Sequence, residues 1–248
     1  MCRPTMDQAA LTPQQRQAVT HRGGPLMVLA GPGTGKTRTL THRLAHLVLE
    51  QGLSPKNLLA VTFTNQAAEE MRVRMARLLP RDSGADHPWI TTFHGFSYRL
   101  LRQSFFPHHR LLSENEASEV LRSSLRDRHQ KFPSKLLKDL SRRISLAKGS
   151  LLTPEEADHL PGWQAFPEWP AVYRRYQDKL SNQNVWDFDD LIQQTVFLLE
   201  EQPVFRKEWQ LRIPQVLVDE FQDINAAQYR LFRLLAGPNQ DWMVIGDP

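Results

Sequence analysis

Two rhythms of apolar residues alternate along this chain. Short unbroken runs at residues 26–30, 58–63, 89–93, 215–220 and 242–247 have the length and boundaries of buried strands. Between them apolar positions recur at helical spacing, as in Leu40, Leu44, Leu47 and Val48, or in Ala68, Met71, Met75 and Leu78. The pattern predicts a short helix from Thr12, an N-cap followed by Pro13, and helices over 94–105, 187–200 and 226–236. From 113 to 182 the strand rhythm disappears. Only helical segments are expected there, at 114–128, 133–147 and 167–180, with Ser113 and Glu116 forming a capping box ahead of the first. Strand and helix alternating on both sides of that stretch indicate an α/β fold, a parallel sheet with helices on both faces, interrupted by an all-helical insertion. The expected divisions are 1–106, 107–183 and 184–248.

The junction of the first strand and its helix carries the most specific chemistry. Ala30-Gly31-Pro32-Gly33-Thr34-Gly35-Lys36-Thr37 follows the phosphate-loop pattern, with alanine where its first glycine stands. Glycines let backbone N–H groups turn inward, and the helix N-terminus adds partial positive charge. Lys36 then supplies an ammonium for phosphate oxygens, and Thr37 a hydroxyl for Mg²⁺. The strand at 215–220 ends in Asp219 and Glu220, at the sheet edge where ligands of parallel sheets gather. Asp219 is the candidate Mg²⁺ holder and Glu220 the candidate base for an attacking water.

Charge and composition narrow the setting. Residues 1–98 hold 11 Lys and Arg against 6 Asp and Glu, residues 99–148 hold 12 against 5, and residues 149–248 hold 8 against 16. The basic middle block fits a polyanion contact, with Arg122, Arg126, Arg128, Lys131, Lys135, Lys138, Arg142 and Arg143 as candidates for sequence-blind phosphate binding. A solvated helical face has the same composition. The one cysteine, Cys2, rules out an intrachain disulfide, and no apolar run approaches a membrane span, so a cytoplasmic protein without a membrane partner is expected.

Five strings in order resemble the motifs of UvrD/Rep/PcrA-type superfamily 1 DNA helicases. They are 30–37, Val61-Thr62-Phe63-Thr64-Asn65-Gln66-Ala67-Ala68, Thr92-Phe93-His94-Gly95-Phe96, Asp187-Phe188-Asp189-Asp190-Leu191 and Val218-Asp219-Glu220-Phe221-Gln222-Asp223. The resemblance implies a RecA-like P-loop NTPase domain carrying an accessory helical subdomain. It implies ATP and Mg²⁺ as cofactors, and single-stranded DNA and the single-strand/duplex junction as partners. Carried over residue by residue, Gln15 matches the glutamine that reads adenine. Ala30, Gly31, Gly33, Thr34, Gly35, Lys36, Thr37 and Arg38 border the nucleotide, with Mg²⁺ on Thr37 and Asp219. Lys36, Asp219, Glu220 and Gln222 form the catalytic set, and Phe63, Thr64, Asn65, Thr92 and His94 match DNA-contacting positions.

From the residues alone, Phe63 reads equally as core packing and His94 as a helix-terminal histidine. Gln66 replaces a lysine usual in the family. The family's second RecA-like domain, with its arginine fingers, is expected beyond Pro248, so that little activity is expected of this stretch alone and 3′ to 5′ translocation of a longer protein. A non-catalytic nucleotide-dependent DNA-binding module and the front of a helicase–nuclease are the alternatives. A small-molecule P-loop kinase is disfavoured by the acidic string and the basic insertion.

Overall fold

The computed structural model describes residues 11–79, 87–125, 133–157, 166–238 and 240–248. Two compact units divide the chain: Met1–Phe96 with Leu199–Ile224 and Phe232–Pro248, and Ser97–Leu198 with Asn225–Leu231.

The first unit is built on a five-stranded sheet. Its strands are β1 (Leu26–Leu29), β2 (Leu58–Thr62), β3 (Trp89–Thr92), β6 (Gln215–Val218) and β7 (Asp241–Gly246), in the order β1-β7-β6-β2-β3. Every pairing is parallel, with Leu29 opposite Gly246, Val218 opposite both Val61 and Val244, and Thr62 opposite Thr92. Successive side chains point to opposite faces. On one face Leu58, Ala60, Leu217, Met243 and Ile245 meet Leu40, Leu44 and Leu47 of α2 (Lys36–Leu49) and Met71 and Met75 of α3 (Asn65–Leu78). The alternate residues Trp89 and Trp242 enter edge-to-face aromatic sets, Trp89 with Phe96 and Trp209, and Trp242 with Phe232. Burial on both faces is why the central strands β2 and β6 read as continuous apolar runs, whereas edge strand β1 leaves Met27 and Leu29 exposed. Helix α1 (Pro13–Thr20) starts as expected, with Thr12 as N-cap in a full capping box with Gln15.

The second unit is helical. Helices α5 (Glu114–Ser124), α6 (Ser134–Gly149) and α7 (Trp169–Asn182) share a core of Leu121, Leu140, Ile144, Ala147, Val172, Tyr173, Tyr176 and Leu180. Ser113 and Glu116 cap α5 reciprocally. A two-stranded parallel ladder, β4 (Arg110–Leu111) with β5 (Val185–Trp186), also belongs here and is too short to leave a periodic signal. Remaining helices are α4 (Phe93–Ser104), α8 (Asp190–Glu201), α9 (Pro203–Arg212) and α10 (Ala226–Ala236), and the unit boundaries fall inside α4, α8 and α10.

Helices α5, α8 and α9 differ from the sequence expectation, α5 ending at Ser124 instead of 128. Helix α8 begins at Asp190, three residues later than expected, because Asp187 Oδ1 accepts the Asp190 N–H at 2.8 Å and Asp190 Oδ2 the Asp187 N–H at 3.0 Å. The side chains thus satisfy backbone groups that another helical turn would have used. Helix α9 had no counterpart in the sequence reading, since Trp209 is its one fully buried residue and its apolar period is weak. Cys2 lies outside the described residues. Among those described, no helix is long and apolar enough to cross a membrane.

Candidate functional site

The site lies at the C-terminal edge of the sheet. After β1 the chain turns through residues 30–35 into α2, its path held by the Ala30 N–H on the Gly246 carbonyl at 2.9 Å and the Thr34 hydroxyl on the Gly31 carbonyl at 2.7 Å. Gly35 occupies the N-cap of α2 with φ 85°. A Cβ there would be in a region L-residues rarely adopt and would sit 2.9 Å from Gln15 Nε2. Gln15 is held against this loop, its Nε2 donating to the Thr34 carbonyl at 2.8 Å while its Oε1 accepts from Thr12 N–H at 3.0 Å.

The next two residues face the ends of β6 and β7. The Lys36 ammonium is 3.1 Å from Glu220 Oε2 and also bonds Asp247 Oδ1, with its side chain only 9% exposed. The bond to Asp247 and, beyond it, the bond and charge of Glu220 raise the Lys36 pKa against the opposing effect of burial, so the amine stays charged. Thr37 donates its hydroxyl to Asp219 Oδ2 at 3.2 Å. Burial, and then the neighbouring Glu220 charge, raise the Asp219 pKa, while Thr37 and Lys36 act the other way.

Glu220 follows in the left-handed conformation, φ 50° and ψ 48°, uncommon for a residue with a side chain. Its N–H rests on Asp219 Oδ1 at 3.0 Å. Gln222 then links the two strand ends: Nε2 donates to Glu220 Oε2 at 3.0 Å and to Asp223 Oδ2 at 3.1 Å, and Oε1 accepts from Asp247 N–H at 3.0 Å. Gly246 makes room for this link, because a Cβ there would lie 2.5 Å from Gln222 Oε1 and 3.2 Å from two backbone nitrogens.

These contacts gather Lys36, Thr37, Asp219, Glu220 and Gln222 from distant parts of the sequence. Thr37 and Asp219 offer two hard oxygen donors side by side, the chemistry that suits Mg²⁺. The left-handed glycine loop opening a helix beside a charged lysine suits phosphate oxygens. The residues present therefore fit a magnesium-bound nucleoside phosphate.

Farther along the same edge stand the other candidates. Phe63 is 54% exposed directly after β2, and Thr64 and Asn65 are exposed where Thr64 caps α3, its Oγ1 accepting from Ala67 N–H at 3.1 Å. The Thr62–Thr92 register sets the start of α4 beside them. Thr92 is buried and its hydroxyl accepts the Gly95 N–H at 3.1 Å, while burial pushes the His94 pKa down to about 4. At neutral pH His94 is an uncharged ring.

The family model for the UvrD/REP helicase N-terminal domain matches residues 11–248. The chain belongs to that family. It is 38% identical over 247 residues to the ATP-dependent DNA helicase PcrA of Bacillus subtilis (strain 168), covering 96% of this chain and 33% of the relative. PcrA of Staphylococcus aureus (strain NCTC 8325 / PS 47) is 36% identical over 242 residues, covering 94% of this chain and 32% of the relative. The chain thus spans about a third of the length of these curated relatives.

In this UvrD/REP domain the basic candidates of the insertion are distributed over the second unit. Lys135, Lys138 and Arg142 are exposed on α6, and Arg122 on α5 lies 3.6 Å from Glu119. Arg143 places its guanidinium 4.8 Å from the Trp169 ring centroid, and Arg142 and Arg143 both line a cavity of about 630 Å³ with Asn225 and Leu146. Arg126, Arg128 and Lys131 fall outside the described residues.

Sequence reasoning missed Asp247 and Gly246. An acid ending the strand next to both the phosphate loop and Asp219 was the available signal, but strand order is not visible in the sequence. It also missed Lys148, which is completely buried and bonds Asp187 Oδ2 and Asp190 Oδ1, each at 2.7 Å. Tyr176 donates to Asp187 Oδ2 and Gln177 to Asp190 Oδ1, both at 2.9 Å. The fourth helicase-like string is thereby pinned from inside the second unit.

Proposed function

We propose that this chain is the nucleotide-binding motor portion of an ATP-dependent DNA helicase, which in its full length couples Mg·ATP hydrolysis to 3′ to 5′ movement on single-stranded DNA and to duplex unwinding. The observation that carries the reading is the meeting of Lys36 and Thr37 with Asp219 and Glu220 at one sheet edge. The PcrA relatives, named as ATP-dependent DNA helicases, support it.

Each residue then has a distinct task. Thr37 and Asp219 hold Mg²⁺ through their oxygens, and Lys36 exchanges its carboxylate partners for phosphate oxygens. Glu220 is thereby released from the ammonium and orients a water as general base. Gln222, bonded to both Glu220 and the Asp247 backbone, relays the state of the phosphate region to β7. Gln15 stands where a base edge is read, and Arg38 borders the same nucleotide. Bound Mg·ATP supplies the phosphoanhydride that is cleaved and the divalent charge that offsets its oxygens.

Exposed Phe63 stacks a base without reading it, a contact worth about 1–3 kcal/mol per base. Thr64, Asn65, Thr92 and His94 line the strand's path beside it, and the basic residues of the helical insertion, an accessory subdomain over roughly 107–183, hold backbone phosphates near the junction. The second RecA-like domain is the partner that completes the cleft. An arginine finger supplied by such a partner is worth about 10³ to 10⁵ in rate, so this chain alone hydrolyses ATP very slowly. In isolation it acts as a nucleotide-dependent DNA-binding module, a reading favoured by its coverage of about a third of PcrA.

The test is ATP hydrolysis with and without single-stranded DNA, for this chain and for a longer polypeptide that includes it. Stimulation by DNA in the longer protein alone supports the proposal. Vigorous DNA-independent turnover by this chain would refute it.

A further inference from the structure

The end of β7 grips the phosphate loop at both of its ends. The Gly246 carbonyl accepts the Ala30 N–H at 2.9 Å where the loop begins, and the Asp247 carboxylate bonds the Lys36 ammonium where it closes. Asp247 is itself fixed through its backbone N–H, which donates to Gln222 Oε1 at 3.0 Å. Of the groups that keep Lys36 charged, Asp247 acts most strongly, ahead of Glu220.

The two carboxylates on Lys36 are not equivalent. Glu220 Oε2 lies 3.1 Å from the ammonium and also accepts from Gln222 Nε2 at 3.0 Å, so it keeps a partner when the ammonium turns elsewhere. Among the described residues, Lys36 is the one polar partner of the Asp247 carboxylate. The Asp247 side chain is 36% exposed against 9% for Lys36, so water can take up the carboxylate once it is released. Gln222 holds the Asp247 backbone and leaves that side chain free to turn.

Charge gives this difference a consequence. Asp219, Glu220 and Asp247 bring three carboxylates to one ammonium. A metal-free triphosphate meets net negative charge there and must also break both pairs, whereas a divalent cation on Thr37 and Asp219 offsets two of those charges. Given Mg·ATP at this site, as proposed above, we propose that Asp247 is a positioning residue that acts through Lys36: it competes with phosphate for the ammonium, and so confines nucleotide binding to the Mg²⁺-bound form. Glu220 stays with Gln222 for the reaction, and Asp247 is the partner that leaves.

Calorimetry on this chain, with ATP in Mg²⁺ and with ATP in a chelator, compares wild type with Asp247→Asn and Asp247→Glu. Asparagine keeps the size of the side chain and the backbone N–H to Gln222 and removes the charge, and circular dichroism confirms folding. Asp247→Asn should tighten metal-free ATP by about threefold to tenfold, the effect of one partly screened charge, and change Mg·ATP affinity by less than about threefold. Asp247→Glu should keep the wild-type preference for Mg²⁺. Metal-free affinity that stays within about twofold of wild type in Asp247→Asn overturns the proposal. So does an equal gain when Lys36 is already alanine, because the carboxylate would then act on the phosphates directly. Parallel loss of both affinities also overturns it, since a structural role would lower the two together. A wild type that binds ATP in neither condition fails at an earlier step and refutes the nucleotide site itself along with the proposal.

Discussion

Replacing Lys148 by methionine should destabilise the helical unit more than any surface change. The ammonium is fully enclosed and is shared by two carboxylates whose side chains are 12% and 1% exposed. Burial disfavours its charge, but Asp187 and Asp190 outweigh that and raise its pKa. Methionine fills much of the same volume and leaves the two acids facing each other without a counter-charge. Breaking a buried pair in this way costs about 3–5 kcal/mol, a large part of the roughly 5–15 kcal/mol that holds a domain folded. With a urea dependence of about 2 kcal/mol per molar, the midpoint should fall by roughly 2 M. Urea denaturation followed by circular dichroism and by tryptophan fluorescence reads this, two probes being needed because two units need not unfold together.

Two further arms isolate the electrostatic cause. Without the ammonium, burial moves both carboxyls above their ordinary range, so the variant's stability is present at acid pH and is lost as pH rises through the raised values. Its deficit against wild type should therefore shrink on acidification. Adding Asp187→Asn and Asp190→Asn should recover most of the loss at neutral pH, since the unpaired charges are gone. A Lys148→Met midpoint within about 0.3 M of wild type at neutral pH would refute the reasoning.

Other expectations follow from single contacts. Glu220→Gln should leave Mg·ATP binding within about threefold of wild type and stop DNA-stimulated hydrolysis in a longer protein, read by titration and phosphate release; equal loss of both would place Glu220 in binding instead. Gly246→Ala should cost about 1–3 kcal/mol in denaturation of the first unit, because its methyl meets Gln222 and two backbone nitrogens. Phe63→Ala should weaken oligothymidylate binding by about fivefold to a hundredfold with the salt slope unchanged, whereas a changed slope would mean a phosphate contact had been lost.

The sheet was legible because each of its strands is apolar on both sides and bounded by breakers. The P-loop was legible because its glycines, Lys36 and Thr37 are consecutive. Less visible was everything that depends on which strand neighbours which. Asp247 bonds Lys36 only because β7 lies between β1 and β6, an order that no local pattern encodes. Lys148 reads as one more basic residue on an amphipathic helix, and its burial follows from acids 39 and 42 residues later. The late start of α8 has the same origin, since Asp187 looks helical by period and acts as a cap by geometry.

The most direct measurement is equilibrium binding of ATP to this chain by calorimetry, with and without Mg²⁺, for wild type, Lys36→Ala and Asp219→Ala. Weak binding that requires Mg²⁺ and disappears in both variants is the predicted result. Undiminished, metal-independent binding in either variant would contradict the convergence of those side chains on one nucleotide.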